Sequence, residues 1–129
     1  MSLLLAACSA AETSAPTGGT GGEPPADCVR VENGVIAISA NNMEFDAPCM
    51  VANAGEAFTI EFTNMESVPH NVAVYTDSST SEELGKTEII TGPDATAEVE
   101  VGPLDAGEYW FDCQVHPTQM NGTLYVVEA

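Results

Sequence analysis

The stretch Tyr109-Trp110-Phe111-Asp112-Cys113-Gln114-Val115-His116-Pro117-Thr118-Gln119-Met120-Asn121-Gly122 constrains this chain more than any other. Tyr109, Phe111 and Cys113 alternate onto one face, as a strand buried on one side requires. Trp110 and Asp112 fall on the opposite face, with Asp112 expected to point outward. A short loop then presents His116 and Met120, and a second strand leaves over Thr123 to Val127. One strand–loop–strand unit thus gathers a thiol, an imidazole and a thioether.

The rest of the chain supplies more strands. Val31 and Val35 to Ile38 give a first one, with Asn33-Gly34 as a turn signal, and Asn41 to Phe45 is its exit. Pro48 to Ala52 is a second. In Ala57 to Asn64, residues Phe58, Ile60 and Phe62 share a face. Val68 to Tyr75 and a short Glu88 to Ile90 follow. Ala95 to Val101 alternates, and Asp105-Ala106-Gly107 turns into the strand of Cys113. The polar run Asp77 to Gly85 carries room for one helical turn at Ser81 to Leu84. Ala, Val and Ile carry the hydrophobic share and favour a pleated, half-buried surface. The expected fold is all-β: a Greek-key antiparallel β-sandwich of about eight strands.

Charge limits the partners. The 129 residues carry a net charge of −18, with only Arg30 and Lys86 on the positive side. Nucleic acid is excluded as a partner, because phosphate binding needs Lys and Arg. A basic protein is a partner that such a surface would steer; a solvated acidic surface for solubility or high salt is the other reading.

The donor types point to a metal. Soft sulfur combined with imidazole suits copper, and two His, one Cys and a weak axial Met make a blue-copper site. The C-terminal stretch supplies His116, and the chain has only one other histidine, His70, in Pro69-His70-Asn71-Val72. The candidate ligands are His70, Cys113, His116 and Met120. Singly, each has an ordinary structural reading: a core thiol, a loop histidine, a core methionine. Their joint placement carries the assignment.

These two segments resemble the cupredoxins, the blue-copper proteins of the plastocyanin and azurin kind. Pro69-His70-Asn71-Val72 is similar to the family's first-ligand loop. Cys113-x2-His116-x3-Met120, followed by the strand Gly122 to Val126, is similar to its C-terminal ligand loop. The resemblance runs over roughly Val31 to Glu128. It implies a single type 1 copper ion and a one-electron carrier cycling between Cu(I) and Cu(II). Such a carrier would serve redox protein partners as a monomer; a copper carrier or storage module is the alternative. Four protein ligands leave no open metal position, so no enzyme is expected. By the same resemblance Asn71 ties the two ligand loops together, and Tyr109 is a corner tyrosine whose hydroxyl bonds back to backbone.

The remaining cysteines and the N-terminus complete the expectations. Leu5-Ala6-Ala7-Cys8 resembles a bacterial lipobox, which makes Cys8 the lipidated residue, residues 1–7 a signal-peptide remnant, and the protein an extracytoplasmic, membrane-anchored lipoprotein. A chance Ala-Cys in a tail is the alternative. Residues 8–27, rich in Gly, Thr and Pro, read as a flexible leash, and residues 28–129 as the domain. With Cys8 and Cys113 so assigned, Cys28 and Cys49 are left as a disulfide pair in an oxidising compartment, or else as two reduced buried thiols.

Overall fold

Alternation of apolar residues becomes two facing sheets in the computed structural model, which describes residues 23–128. The strands in order are β1 (Val29–Arg30), β2 (Val35–Asn41), β3 (Glu44–Phe45), β4 (Cys49–Asn53), β5 (Phe58–Asn64), β6 (Ala73–Tyr75), β7 (Glu83–Lys86), β8 (Ala95–Val101), β9 (Gly107–Asp112) and β10 (Asn121–Val127). One sheet has the order β1-β4-β10-β9-β6-β7 and the other β3-β2-β5-β8. Ile36, Ile38 and Ala40 of β2 interleave with Phe58, Ile60 and Phe62 of β5 on the inner face, against Met50, Val74, Phe111 and Leu124 of the facing sheet. The outer face of the smaller sheet carries Glu61, Glu98 and Glu100, as its polar alternate positions require.

The all-β sandwich is as the sequence implies, with two differences in detail. Ten strands form among the described residues, and the sheets are mixed. β4 runs parallel to both β1 and β10, and β2 runs parallel to β5. Parallel neighbours need a crossover, and here the chain supplies it by passing through the opposite sheet. A period of two does not record strand direction, so alternation alone could not show this.

The helical turn expected at Ser81 to Leu84 does not form. Asp77 Oδ1 accepts the Ser79 N–H at 2.9 Å and the Ser79 hydroxyl at 2.6 Å. These local side-chain bonds give the backbone an alternative to helix. Glu83–Lys86 is then extended as β7 and pairs with β6. The strand expected over Val68 to Tyr75 shrinks to β6, because the first half of that segment is a loop joined to residue 90 by a single bridge, His70↔Ile90.

Cys28 and Cys49 are joined as a disulfide across a separation of 21 residues. On the loop-entropy model a closure of this length contributes about 3 kcal/mol. With Val51, Tyr125 and Val127 it makes a small second cluster on the outer face of the larger sheet. β4 is therefore buried on both faces, which explains its unbroken run Cys49-Met50-Val51-Ala52.

The start of β10 permits no side chain at Gly122. A Cβ there would stand 2.3 Å from the Pro48 carbonyl oxygen and 2.8 Å from the Phe111 ring. Both neighbours are fixed, one in backbone and one in the core. Gly122→Ala should therefore destabilise the domain by about 1–3 kcal/mol, the usual cost of overpacking. Urea unfolding measures it, and an unchanged midpoint would contradict this packing.

Candidate metal centre

Five connections meet at one end of the sandwich, and two of them carry the candidate ligands. The loop from β5 to β6 (residues 65–72) is held from its base by Asn64, which is fully buried. The Asn64 amide donates to Val68 O and Ile90 O, both at 2.8 Å, and its Oδ1 accepts the Glu66 N–H at 3.0 Å. His70 and Ile90 exchange backbone hydrogen bonds at 3.0 Å. Gly92 closes the rear of this loop; a Cβ there would sit 2.4 Å from Asn64 O and 2.6 Å from Glu66 O.

The loop from β9 to β10 (residues 113–120) folds on its own backbone. Cys113 N–H donates to Met120 O at 2.9 Å, and Met120 N–H donates to His116 O at 3.0 Å. Gln119 N–H also donates to His116 O, at 3.2 Å. Pro117 stands at the second position of this turn, where its fixed φ suits and its missing N–H costs nothing. Asn121 Nδ2 caps the turn through Pro117 O at 2.8 Å.

The two loops are tied by one side-chain pair. Asn71 Oδ1 accepts the Gln114 N–H at 2.8 Å, and Asn71 Nδ2 donates to Gln114 Oε1 at 3.0 Å. The Gln114 amide continues to the Tyr75 hydroxyl at 2.8 Å. Asn71 thus joins the two loops through Gln114. Gln114, its reciprocal partner, carries no signal in a single sequence. Tyr109 also behaves as expected, its hydroxyl donating to Asp105 O at 2.8 Å.

This arrangement brings Cys113 Sγ to 3.8 Å from His70 Nδ1 and 3.8 Å from His116 Nδ1. All three donor atoms lie within 4.8 Å of one another. Three ligands in a plane around one ion, at the roughly 2.0–2.3 Å that zinc makes to such donors, would be spaced by about 3.5–4.0 Å. The cluster therefore fits a single metal. His70 and Cys113 are fully buried, and Met120 is 1% exposed in the same core cluster. His116 is half-buried and so the histidine nearer the surface.

His70 has its far nitrogen on a carboxylate. Nε2 lies 2.7 Å from Glu66 Oε2, and the same oxygen accepts the Met43 N–H at 2.9 Å. The Met43 bond, then the His70 bond, hold the Glu66 carboxyl below its ordinary range. Sequence reading missed Glu66. The one signal for it is a carboxylate four residues before a histidine, which is too common to select.

Asp112 departs from expectation. It does not point outward to solvent: it is 3% exposed, and its Oδ1 has no hydrogen-bond partner. Burial pushes its carboxyl above the ordinary range, and a hydrogen bond from the Trp110 side chain pulls the other way. The strand period gave the right face but not the depth, since that face is covered here. Cys8 lies outside the described residues.

The comparisons agree with the geometry. A family model described as the cupredoxin-like domain matches residues 2–126. The chain belongs to that family. Among solved structures, auracyanin A, a "blue" copper protein of Chloroflexus aurantiacus, superposes with a TM-score of 0.64 at 23% identity, over 75% of this chain and 98% of that one. Auracyanin of Roseiflexus castenholzii gives 0.66 at 17% identity, over 74% and 98%. Amicyanin of Paracoccus versutus gives 0.52 at 27% identity, over 82% and 86%. No curated protein sequence matches the chain. Copper is the metal of this cupredoxin site, as the family and the cluster of imidazole and thiol donors require.

The buried carboxylate of this cupredoxin gives a pH signature. Its folded pKa is raised, so the native state holds its proton over a window where the unfolded chain has lost it. Stability from this group therefore falls as pH rises through that window, and the full cost is present above it. Asp112→Asn should stabilise the copper-free protein at neutral pH. The gain should shrink as pH falls through the Asp112 folded pKa towards the ordinary carboxylate range. Thermal unfolding of both proteins across pH checks it; a gain independent of pH would contradict the burial cost.

Proposed function

We propose that this cupredoxin is a one-electron carrier and not an enzyme, with His70, Cys113, His116 and Met120 as ligands of one type 1 copper ion. The carrying observation is the buried convergence of both histidines on Cys113 Sγ at 3.8 Å. When bound, copper supplies a reversible Cu(I)/Cu(II) couple. The chain's part is to hold the donors still. Both ligand loops are fixed by backbone hydrogen bonds and by the Asn71–Gln114 pair, so the site has little to rearrange when the charge changes. The amicyanin structures in oxidised, reduced and Cu(I) forms are in keeping with such a role.

The surface supports an electron port at His116. Among the described residues the exposed large hydrophobics are Met65, Ile89 and Val115. They belong to three separate loops, all at the end of the sandwich where the ligand loops lie. Exposed apolar side chains at the end that holds the half-buried His116, on a strongly acidic molecule, suit brief docking of redox proteins. The acidic surface would steer a basic partner, with exposed charges screened beyond about 8 Å at physiological ionic strength.

The optical test is direct. Copper-loaded protein should show an intense visible charge-transfer band that ascorbate bleaches reversibly, and Cys113→Ala should abolish the band while the domain still folds. A band that survives in the variant would remove Cys113 from the site; tight copper binding without redox cycling would favour storage. Val115→Glu should slow exchange with both a cationic and an anionic small reductant in stopped flow, whereas unchanged rates would place the port elsewhere.

The N-terminus supports an extracytoplasmic lipoprotein. The Leu5-Ala6-Ala7-Cys8 resemblance precedes a Gly- and Thr-rich stretch, and the Cys28–Cys49 disulfide suits an oxidising compartment. Lipid on Cys8 would tether the domain beside membrane redox partners and supply its stable attachment. Expressed with a functional export signal, the protein should fractionate with membranes and be released by Cys8→Ser. Equal partitioning of the two would overturn the anchor.

A further inference from the structure

We propose that Glu66 is a positioning residue of the copper site, one that fixes the His70 tautomer and places a negative charge behind His70 that lowers the reduction potential. The inference deepens the copper reading above and rests on it.

The geometry assigns the protons. An ionised carboxylate can only accept hydrogen bonds, so at 2.7 Å from Glu66 Oε2 the His70 Nε2 must carry its proton. In a neutral ring Nδ1 is then bare, and Nδ1 is the atom that faces Cys113 Sγ. A carboxylate on the far nitrogen of a ligating histidine also increases the basicity of the near one. That basicity and the negative charge behind the ring favour the more highly charged metal ion. His70 is fully buried and Glu66 only 18% exposed, so solvent screens the pair weakly. Among the described residues this is the one close pairing of a carboxylate with a basic side chain, on a chain with carboxylates to spare.

A second job competes for the same side chain. Glu66 Oε2 also accepts the N–H of Met43. Asn42 and Met43 have φ of 57° and 63° and form the turn between β2 and β3. Left-handed backbone is uncommon for methionine, so a carboxylate fixing it could be a purely structural device. The two roles separate because both hydrogen bonds end on one oxygen. Glu66→Gln can keep that oxygen as an amide carbonyl, retaining both bonds and removing only the charge. Glu66→Ala removes both bonds, and Glu66→Asp keeps the charge on a shorter arm.

The test uses the full chain. In the copper-free wild type, nitrogen NMR of the His70 ring should show Nε2 protonated and Nδ1 bare; a protonated Nδ1 would overturn the assignment whatever the variants do. In the copper-loaded protein, Glu66→Gln should bind Cu(II) about tenfold more weakly with Cu(I) binding little changed. A tenfold differential is about 59 mV for one electron, and the potential should rise by that order. Glu66→Asp should return part of the shift. The copper-free Glu66→Gln protein should still fold, with a modestly lower midpoint because a charge-assisted bond becomes a neutral one. A potential unmoved in Glu66→Gln would leave Glu66 as a turn clamp and overturn the proposal. Absence of copper uptake by the wild type would instead sink the metal reading, and the NMR result would still decide what Glu66 does to His70.

Discussion

The reciprocal pair between Asn71 and Gln114 is the constraint on which the rest of the site depends. His70 and Cys113 are 43 residues apart in the chain, and the strands that deliver them end in two different loops. Asn71 follows one ligand and Gln114 follows the other. By closing two hydrogen bonds between them, at 2.8 and 3.0 Å, they set the distance between the imidazole and the thiol. A third bond, from Asn71 Nδ2 to Thr87 O at 3.3 Å, ties the pair to the segment after β7. Buried amides that are fully paired act as rigid spacers, whereas a half-paired one would cost more than an apolar residue. The site is therefore built by folding and does not wait for the metal to gather its ligands.

Much of this was legible in the sequence, for identifiable reasons. Alternation in Phe58-Thr59-Ile60-Glu61-Phe62 and in Ala95 to Val101 gave strands because each has one buried face. Cys113, His116 and Met120 could be grouped because they are close in the chain, and His70 because no other histidine exists. The features that stayed hidden depend on contacts between distant segments. Glu66 and Gln114 are ordinary polar residues until the fold brings His70 and Asn71 against them. Asp112 reads as an outward residue from its parity, and only the packing on that face buries it. Strand direction in β4 and β10 is likewise a property of the chain's route between sheets. The β7 strand was obscured by a segment whose Ser and Asp content suits either a turn or a helix start.

The molecule divides its chemistry by region. Carboxylates occupy the flat outer face of the smaller sheet, where Glu61 and Glu98 stand directly opposite each other across β5 and β8. Like charges so placed are destabilising, and the chain has only Arg30 and Lys86 to offset them. The exposed large hydrophobics Met65, Ile89 and Val115 lie instead in loops at the ligand end. Glu66 is a carboxylate turned inward at the ligand end, with its Oε2 on His70 Nε2 at 2.7 Å.

X-ray absorption at the copper edge, in both oxidation states, tests most directly whether this fold holds a preformed copper site. The Cu(II) protein should show one short copper–sulfur distance and two copper–nitrogen distances, with the same donors and small changes in length after reduction. A copper shell without sulfur, or a donor lost on reduction, would contradict it.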